Sequence, residues 1–243
     1  MSDETRLEIA PTTGNSSLVL LSVGSALVAR GRNDAAALMA SEGDGLSELR
    51  HRAEKGHPEA QYDLGIAYYE GRGLGQDHAE AARWFRKAAD QGDGASCIQL
   101  SLMYATGQGV CQDYSEAVRW CRKVAERGVA ICQTALGGAY AKGNGVSQDY
   151  TEAARWYRRA ANQRYADAQC ALGQMYEEGN GVPQDLARAL MWLKLAVAHA
   201  APDEQADYAT HRDSCARKMT AEQISEAQLL AREWEPYQDP EDS

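Results

Sequence analysis

The sequence predicts an all-α solenoid of 36-residue helix-turn-helix repeats, and three observations carry that prediction. Trp84, Trp120, Trp156 and Trp192 are spaced by 36 residues, as are Tyr68, Tyr104, Tyr140 and Tyr176. Glycine pairs keep the same frame at Gly71/Gly73, Gly107/Gly109, Gly143/Gly145 and Gly179/Gly181, followed each time by Asp77, Asp113, Asp149 or Asp185. Within every unit the apolar residues follow a helical period and never alternate as a strand would. A fixed period of this length marks a stacked architecture in which each unit buries its apolar face against its neighbours. With 44% hydrophobic and 25% charged residues, and one phenylalanine, the composition agrees.

In chain order, residues 1–44 form an N-terminal extension. Leu18 to Ala29 is an apolar run of 12 residues, too short to span a bilayer. Asp3, Glu4 and Glu8 outnumber Arg6 before it, the wrong sign for an export signal. A packed helix from Leu18 to about Ala40 is expected, with export as the alternative. Residues 45–55 read as a solitary second helix, capping the first repeat through Leu46, Leu49 and Ala53.

The four repeats occupy 56–91, 92–127, 128–163 and 164–199. In the first, Pro58 to Tyr69 is one helix. Glu70 to Gln76 supplies the turn, and Asp77 caps a second helix over about 78–90. Glu80 stands where a side chain can reach back to the cap, and Glu116 and Glu152 repeat this; Arg188 replaces it in the fourth unit. Ala81, Trp84, Phe85 and Ala88 make the buried stripe of the second helix. The tryptophans and tyrosines are core residues, since four equivalent cofactors have no place in a solenoid. Gly56, Gly92 and Gly128 end second helices; Arg164 holds the fourth such position, so that junction should be less regular.

Residues 200–235 read as capping helices, Asp203 to Met219 and Thr220 to Trp234. Thr220-Ala-Glu-Gln223 forms a capping box, and Ile224, Ala227, Leu230, Ala231 and Trp234 line one face. A cap is needed because the fourth repeat turns apolar where the others are basic, with Met191 and Leu195 beside Trp192. The acidic tail, 236–243, is expected to be disordered.

The units carry a resemblance. Ala60-Gln-Tyr-Asp-Leu-Gly-Ile-Ala-Tyr68, Gly71-x-Gly73, Gln76-Asp77, Ala81, Trp84 and Ala88-Ala89 look like the Sel-one-like repeat (SLR), a relative of the tetratricopeptide repeat. The fourth copy, Ala168-Gln-x-x-Leu172-Gly-x-x-Tyr176-x-x-Gly179-Asn-Gly181-Val-Pro-Gln-Asp185, matches most closely, and the likeness covers about residues 53 to 199. It implies a right-handed α-α superhelix and a scaffold or adaptor role, in processes such as bacterial signalling or envelope and complex assembly.

A formal net charge of -10 argues against general affinity for nucleic acid or anionic membranes. Second helices nevertheless carry Arg83, Arg86, Lys87, then Arg119, Arg122, Lys123, then Arg155, Arg158, Arg159. Stacking at about 10 Å would align them as a ladder. Glu80, Glu116 and Glu152 stand three residues before the first arginine of each set and can partly neutralise it. A solvated face is the expectation, and an anion or nucleic-acid track the alternative.

Searching for chemistry returns no catalytic, cofactor-binding or metal-ligating set. His51, His57, His78, His199 and His211 are scattered, apart from the lone His211-x-x-x-Cys215. Glycine loops lack the strand-to-helix context of a nucleotide site. Cys97, Cys111, Cys121, Cys132, Cys170 and Cys215 each fall at a different place in the frame, which reads as reduced thiols in a cytoplasmic protein. The expected function is therefore non-catalytic protein–protein interaction, with an enzyme as the other class. The candidate partner-binding positions are those where first helices face the concave side: Tyr62, Ile66, Tyr69, Ile98 and Leu102. Small residues follow in repeat 3 and polar ones in repeat 4. A partner helix or extended peptide would suit such a groove; packing between repeats is the competing use.

Overall fold

The computed structural model describes residues 44–236; the expected helix from Leu18 and the acidic tail beyond 236 lie outside them. Among the described residues every element is a helix. A solitary α1 (Asp44–Glu54) is followed by four hairpins. These are α2 (Pro58–Glu70) with α3 (His78–Asp90), α4 (Gly94–Thr106) with α5 (Tyr114–Ala125), α6 (Ala130–Lys142) with α7 (Tyr150–Asn162), and α8 (Ala166–Glu178) with α9 (Leu186–His199). Two further helices, α10 (Gln205–Ala216) and α11 (Ala221–Glu233), close the chain. From α1 to α10 each helix packs on its neighbours in sequence and α11 returns to α9, so the core runs along the stack rather than into one centre.

Backbone chemistry repeats with the sequence. Gly71, Gly107, Gly143 and Gly179 each end a first helix in the left-handed conformation, φ 72 to 76°. The second glycine of the pair has another use. At Gly145 a Cβ would lie 2.2 Å from the Tyr114 carbonyl oxygen, and at Gly181 equally close to that of Tyr150. The turns of repeats 2, 3 and 4 thus rest directly on the start of the preceding second helix, which only a residue without a side chain permits.

Asp77, Asp113, Asp149 and Asp185 all cap second helices as expected, accepting from backbone N–H groups at 2.9 to 3.1 Å. Of the two roles open to the glutamates, the pair with arginine forms and the reach to the cap does not. Glu80, Glu116 and Glu152 pair forward with Arg83, Arg119 and Arg155 at 2.6 to 3.0 Å. An arginine one turn onward outcompetes a neutral N–H for the carboxylate, so the reach-back half of the box is formed at Thr220–Gln223 instead. The Arg164 junction is also more regular than its sequence suggests. Arg164 takes φ 64°, and its N–H and that of Tyr165 bond Ala161 and Ala160 as Gly92 and Asp93 bond Ala89 and Ala88. A non-glycine residue is held left-handed there by its neighbours.

Both ends are covered. Leu49 and Ala53 of α1 pack on Ala60, Leu64 and Trp84. At the other end α10 and α11 both pack on α9, burying Met191, Trp192 and Leu195 with Cys215 and Ala227. The penultimate helix begins at Gln205 rather than Asp203, because Ala201–Glu204 form a separate turn.

Candidate functional site

The concave positions are built from first helices whose small residues allow close approach. Gly65 lies against Phe85, where a Cβ would meet the ring at 2.6 Å; Gly137 does the same with Tyr157 at 2.8 Å and Gly173 with Leu193 at 2.8 Å. Each contact seats a first helix on the second helix of its own repeat. Tyr62, Ile66, Ile98 and Leu102 belong to the main core cluster, with Ile66 at 1% and Leu102 at 2% exposure. Tyr62 edges the Phe85 ring at 5.7 Å, and burial pushes its phenol up to about 12. Tyr69 alone of the five is half-buried; its hydroxyl donates to Gln108 of the next repeat at 2.8 Å and its ring meets His78 edge-on at 4.8 Å. The apolar, open groove floor expected from sequence is thus largely packed, and packing is the first use of these side chains.

The basic ladder is internally engaged. Its first row, Arg83, Arg119 and Arg155, pairs with glutamates. Its second row bonds tyrosine hydroxyls of the next repeat: Arg86 to Tyr104, Arg122 to Tyr140 at 2.7 Å, and Arg158 to Tyr176 at 3.0 Å. Arg50 of α1 begins the series by donating to Tyr68 at 3.4 Å. The third row covers tryptophan faces: Lys87 lies 3.8 Å from the Trp84 ring centre, Lys123 4.1 Å from Trp120, and Arg159 5.1 Å from Trp156. In the fourth repeat Leu195 replaces this cation, and Trp234 of α11 packs on Trp192 instead, centroids 5.7 Å apart. The second row ties each repeat to the next and the other two rows are engaged within their own helices, which leaves little of the ladder for a phosphate track.

A second ladder escapes the sequence reading. Gln61, Gln133 and Gln169 are buried amides donating to Ala53, Ala125 and Ala161 carbonyls at 3.0 to 3.1 Å. Their own oxygens accept from Gln91 and Gln163 at 2.7 and 2.8 Å, and meet His199 Nδ1 at 2.9 Å. The glutamines recur in the 36-residue frame at Gln61, Gln133 and Gln169, with Cys97 at the remaining position, but polarity argues for the surface until the partner carbonyls are seen.

The chemistry-bearing groups stay apart. Among the described residues no three His, Cys, Asp or Glu side chains gather in a way that could hold a metal. All six cysteines are free, and only Cys111 is exposed. Burial pushes the Cys170 thiol up to about 12 and the Cys215 thiol to about 11, which suppresses the thiolate a nucleophile needs. No helix among the described residues is long and apolar enough to cross a membrane.

Known proteins were compared with this geometry. The Sel1 repeat model matches residues 58–93, 94–129, 130–165 and 166–199. A Sel1 repeat protein from Oxalobacter formigenes superimposes with a TM-score of 0.63 at 29% identity, over 78% of this chain and 76% of that one. A protective antigen of uropathogenic Escherichia coli displaying an SLR fold gives 0.64 at 26% identity, over 89% of this chain and 51% of that one. The ERAD-associated E3 ubiquitin-protein ligase component HRD3A of Arabidopsis thaliana is 44% identical over 48 residues, 19% of this chain. The match spans only 7% of that protein's length. The repeats fill more than half of the sequence, their helices stack as the SLR structures do, and the chain belongs to the Sel1 repeat family.

Proposed function

We propose that this chain is a non-catalytic scaffold that binds another protein through a peptide or helix seated along its concave side. The observation that supports this most is the use made of its polar side chains. Arg86, Arg122 and Arg158, with the buried Gln133 and Gln169, are committed to joining one repeat to the next. The molecule is therefore built to hold one extended surface in shape, as a repeat scaffold must. Of the five concave residues inferred from sequence, Tyr69 is the available contact, while Tyr62, Ile66, Ile98 and Leu102 support it from beneath. The six unbridged thiols favour a reducing compartment such as the cytoplasm.

A pull-down with the full chain tests this reading. One stoichiometric protein partner, lost on Tyr69→Ala at a temperature where melting shows the variant still folded, is the expected result. Salt-sensitive nucleic-acid binding in its place, or turnover abolished by a single substitution, would assign the chain to the alternative class.

A further inference from the structure

The interface between repeats 2 and 3 differs from those on either side. Where repeats 1 and 2 meet, the space between α2, α3 and α4 is filled by Tyr69, Phe85, Leu102 and Met103. The residues 36 positions on are Ala105, Cys121, Gly138 and Ala139, so all four side chains shrink together. At the next interface Tyr157, Gln174 and Met175 restore three of them. Limited compensation is present: Val118 stands for Ala82, and Ser101 for Gly65, its hydroxyl donating to the Ala117 carbonyl at 2.8 Å.

A void of about 60 Å³ remains, bordered by Ser101, Ala105, Val118, Cys121, Gly138 and Ala139. That is room for about two waters by liquid volume, but the wall offers a water few polar partners. No lining residue is charged, in a chain where 25% of residues are. Tyr114 and Asn144 flank it and are exposed, with Tyr114 at 42% among the few large apolar side chains that face solvent. The protein's own neighbouring interface shows what fits such a space: an unbranched or branched aliphatic side chain, or part of a ring.

We propose that this gap is the receiving pocket for one uncharged apolar side chain of the partner, of leucine or methionine size, inserted past Tyr114. The inference rests on the scaffold reading and assigns its anchoring point. The pocket supplies at repeats 2 and 3 the buried anchor that interfaces concentrate in one well-desolvated place.

The test uses the full chain, panned against a random 12-residue peptide library. It is repeated with Ser101→Gly/Cys121→Phe, which copies Gly65 and Phe85, and with Ala139→Met, which copies Met103; circular dichroism and melting confirm that both variants fold. Selected peptides should share one leucine- or methionine-like position and bind each filled variant at least tenfold more weakly. Peptides that bind wild type and filled variants equally would overturn the pocket while leaving the scaffold intact. A library that yields no binder would count against the scaffold itself. Saturable binding of isobutanol to wild type, with no peptide discriminating, would give the gap to a free small molecule and likewise overturn the proposal.

Discussion

Gly73 and Gly145 hold the same place in their repeats and nearly the same backbone, φ 65° and 74°, yet alanine should cost very different amounts at the two. At Gly73 the added Cβ would find only Leu46 Cδ2 at 3.8 Å, an ordinary contact. What remains is the left-handed backbone, about 1–2 kcal/mol for a residue with a side chain. At Gly145 the same Cβ would lie 2.2 Å from the Tyr114 carbonyl oxygen and 2.7 Å from the Ser115 nitrogen. Backbone cannot rotate aside as a side chain can, so the turn of repeat 3 must lift off the start of α5. Overpacking of this kind adds about 1–3 kcal/mol, which brings Gly145→Ala to about 2–5 kcal/mol in total. Urea unfolding followed at 222 nm measures both variants against wild type. Losses within about 0.5 kcal/mol of each other would show that the turn does not bear on the preceding repeat, and the account of the second glycine would fail.

Other substitutions probe the junctions and the cap. Arg164→Gly should stabilise the chain by about 1 kcal/mol by releasing a left-handed side-chain-bearing residue; a lower melting temperature would mean the arginine side chain contributes more than its strain costs. Burial first, and the Arg164 charge second, lower the His199 pKa below its ordinary 6.5. The unfolded chain then takes up the proton first, so this stability is complete above about pH 6.5 and lost as pH falls through the lower folded value. His199→Gln, copying Gln91 and Gln163, should flatten that part of a stability–pH profile, and an unchanged slope would place its origin elsewhere. Trp234→Ala should lose about 2–3 kcal/mol, less than a fully buried tryptophan because Trp234 is half-exposed; dye binding to the bared Trp192 face reports it, and unaltered dye binding would contradict the capping role.

How legible each part was in the sequence depends on where its partners lie. Second helices were readable almost to the residue, because Asp113 and Trp120 find their cap and their cover within the same unit or one repeat away, at offsets the period displays. The C-terminal cap was readable for a related reason. Loss of the cation at Leu195 leaves a tryptophan face with nothing over it, and only a new apolar group such as Trp234 can answer. For the glutamates the sequence offered two partners at one spacing: Glu116 can reach either the cap or Arg119, and the structure gives it to the arginine.

The concave residues fail for a different reason. A repeat frame assigns Ile98 and Leu102 an azimuth, but whether that azimuth is open depends on how closely each first helix seats on its second helix and on the size of the side chains that meet there. Gly65 on Phe85 and Gly137 on Tyr157 are such contacts, each within one repeat. Where the ring is missing, at Cys121, the same frame leaves a hole. Closed groove and open pocket are therefore two outcomes of one variable, the size of the side chain opposite the small residue of each first helix. A single substitution pair, Ser101 and Cys121 exchanged for glycine and phenylalanine, should convert the second outcome into the first.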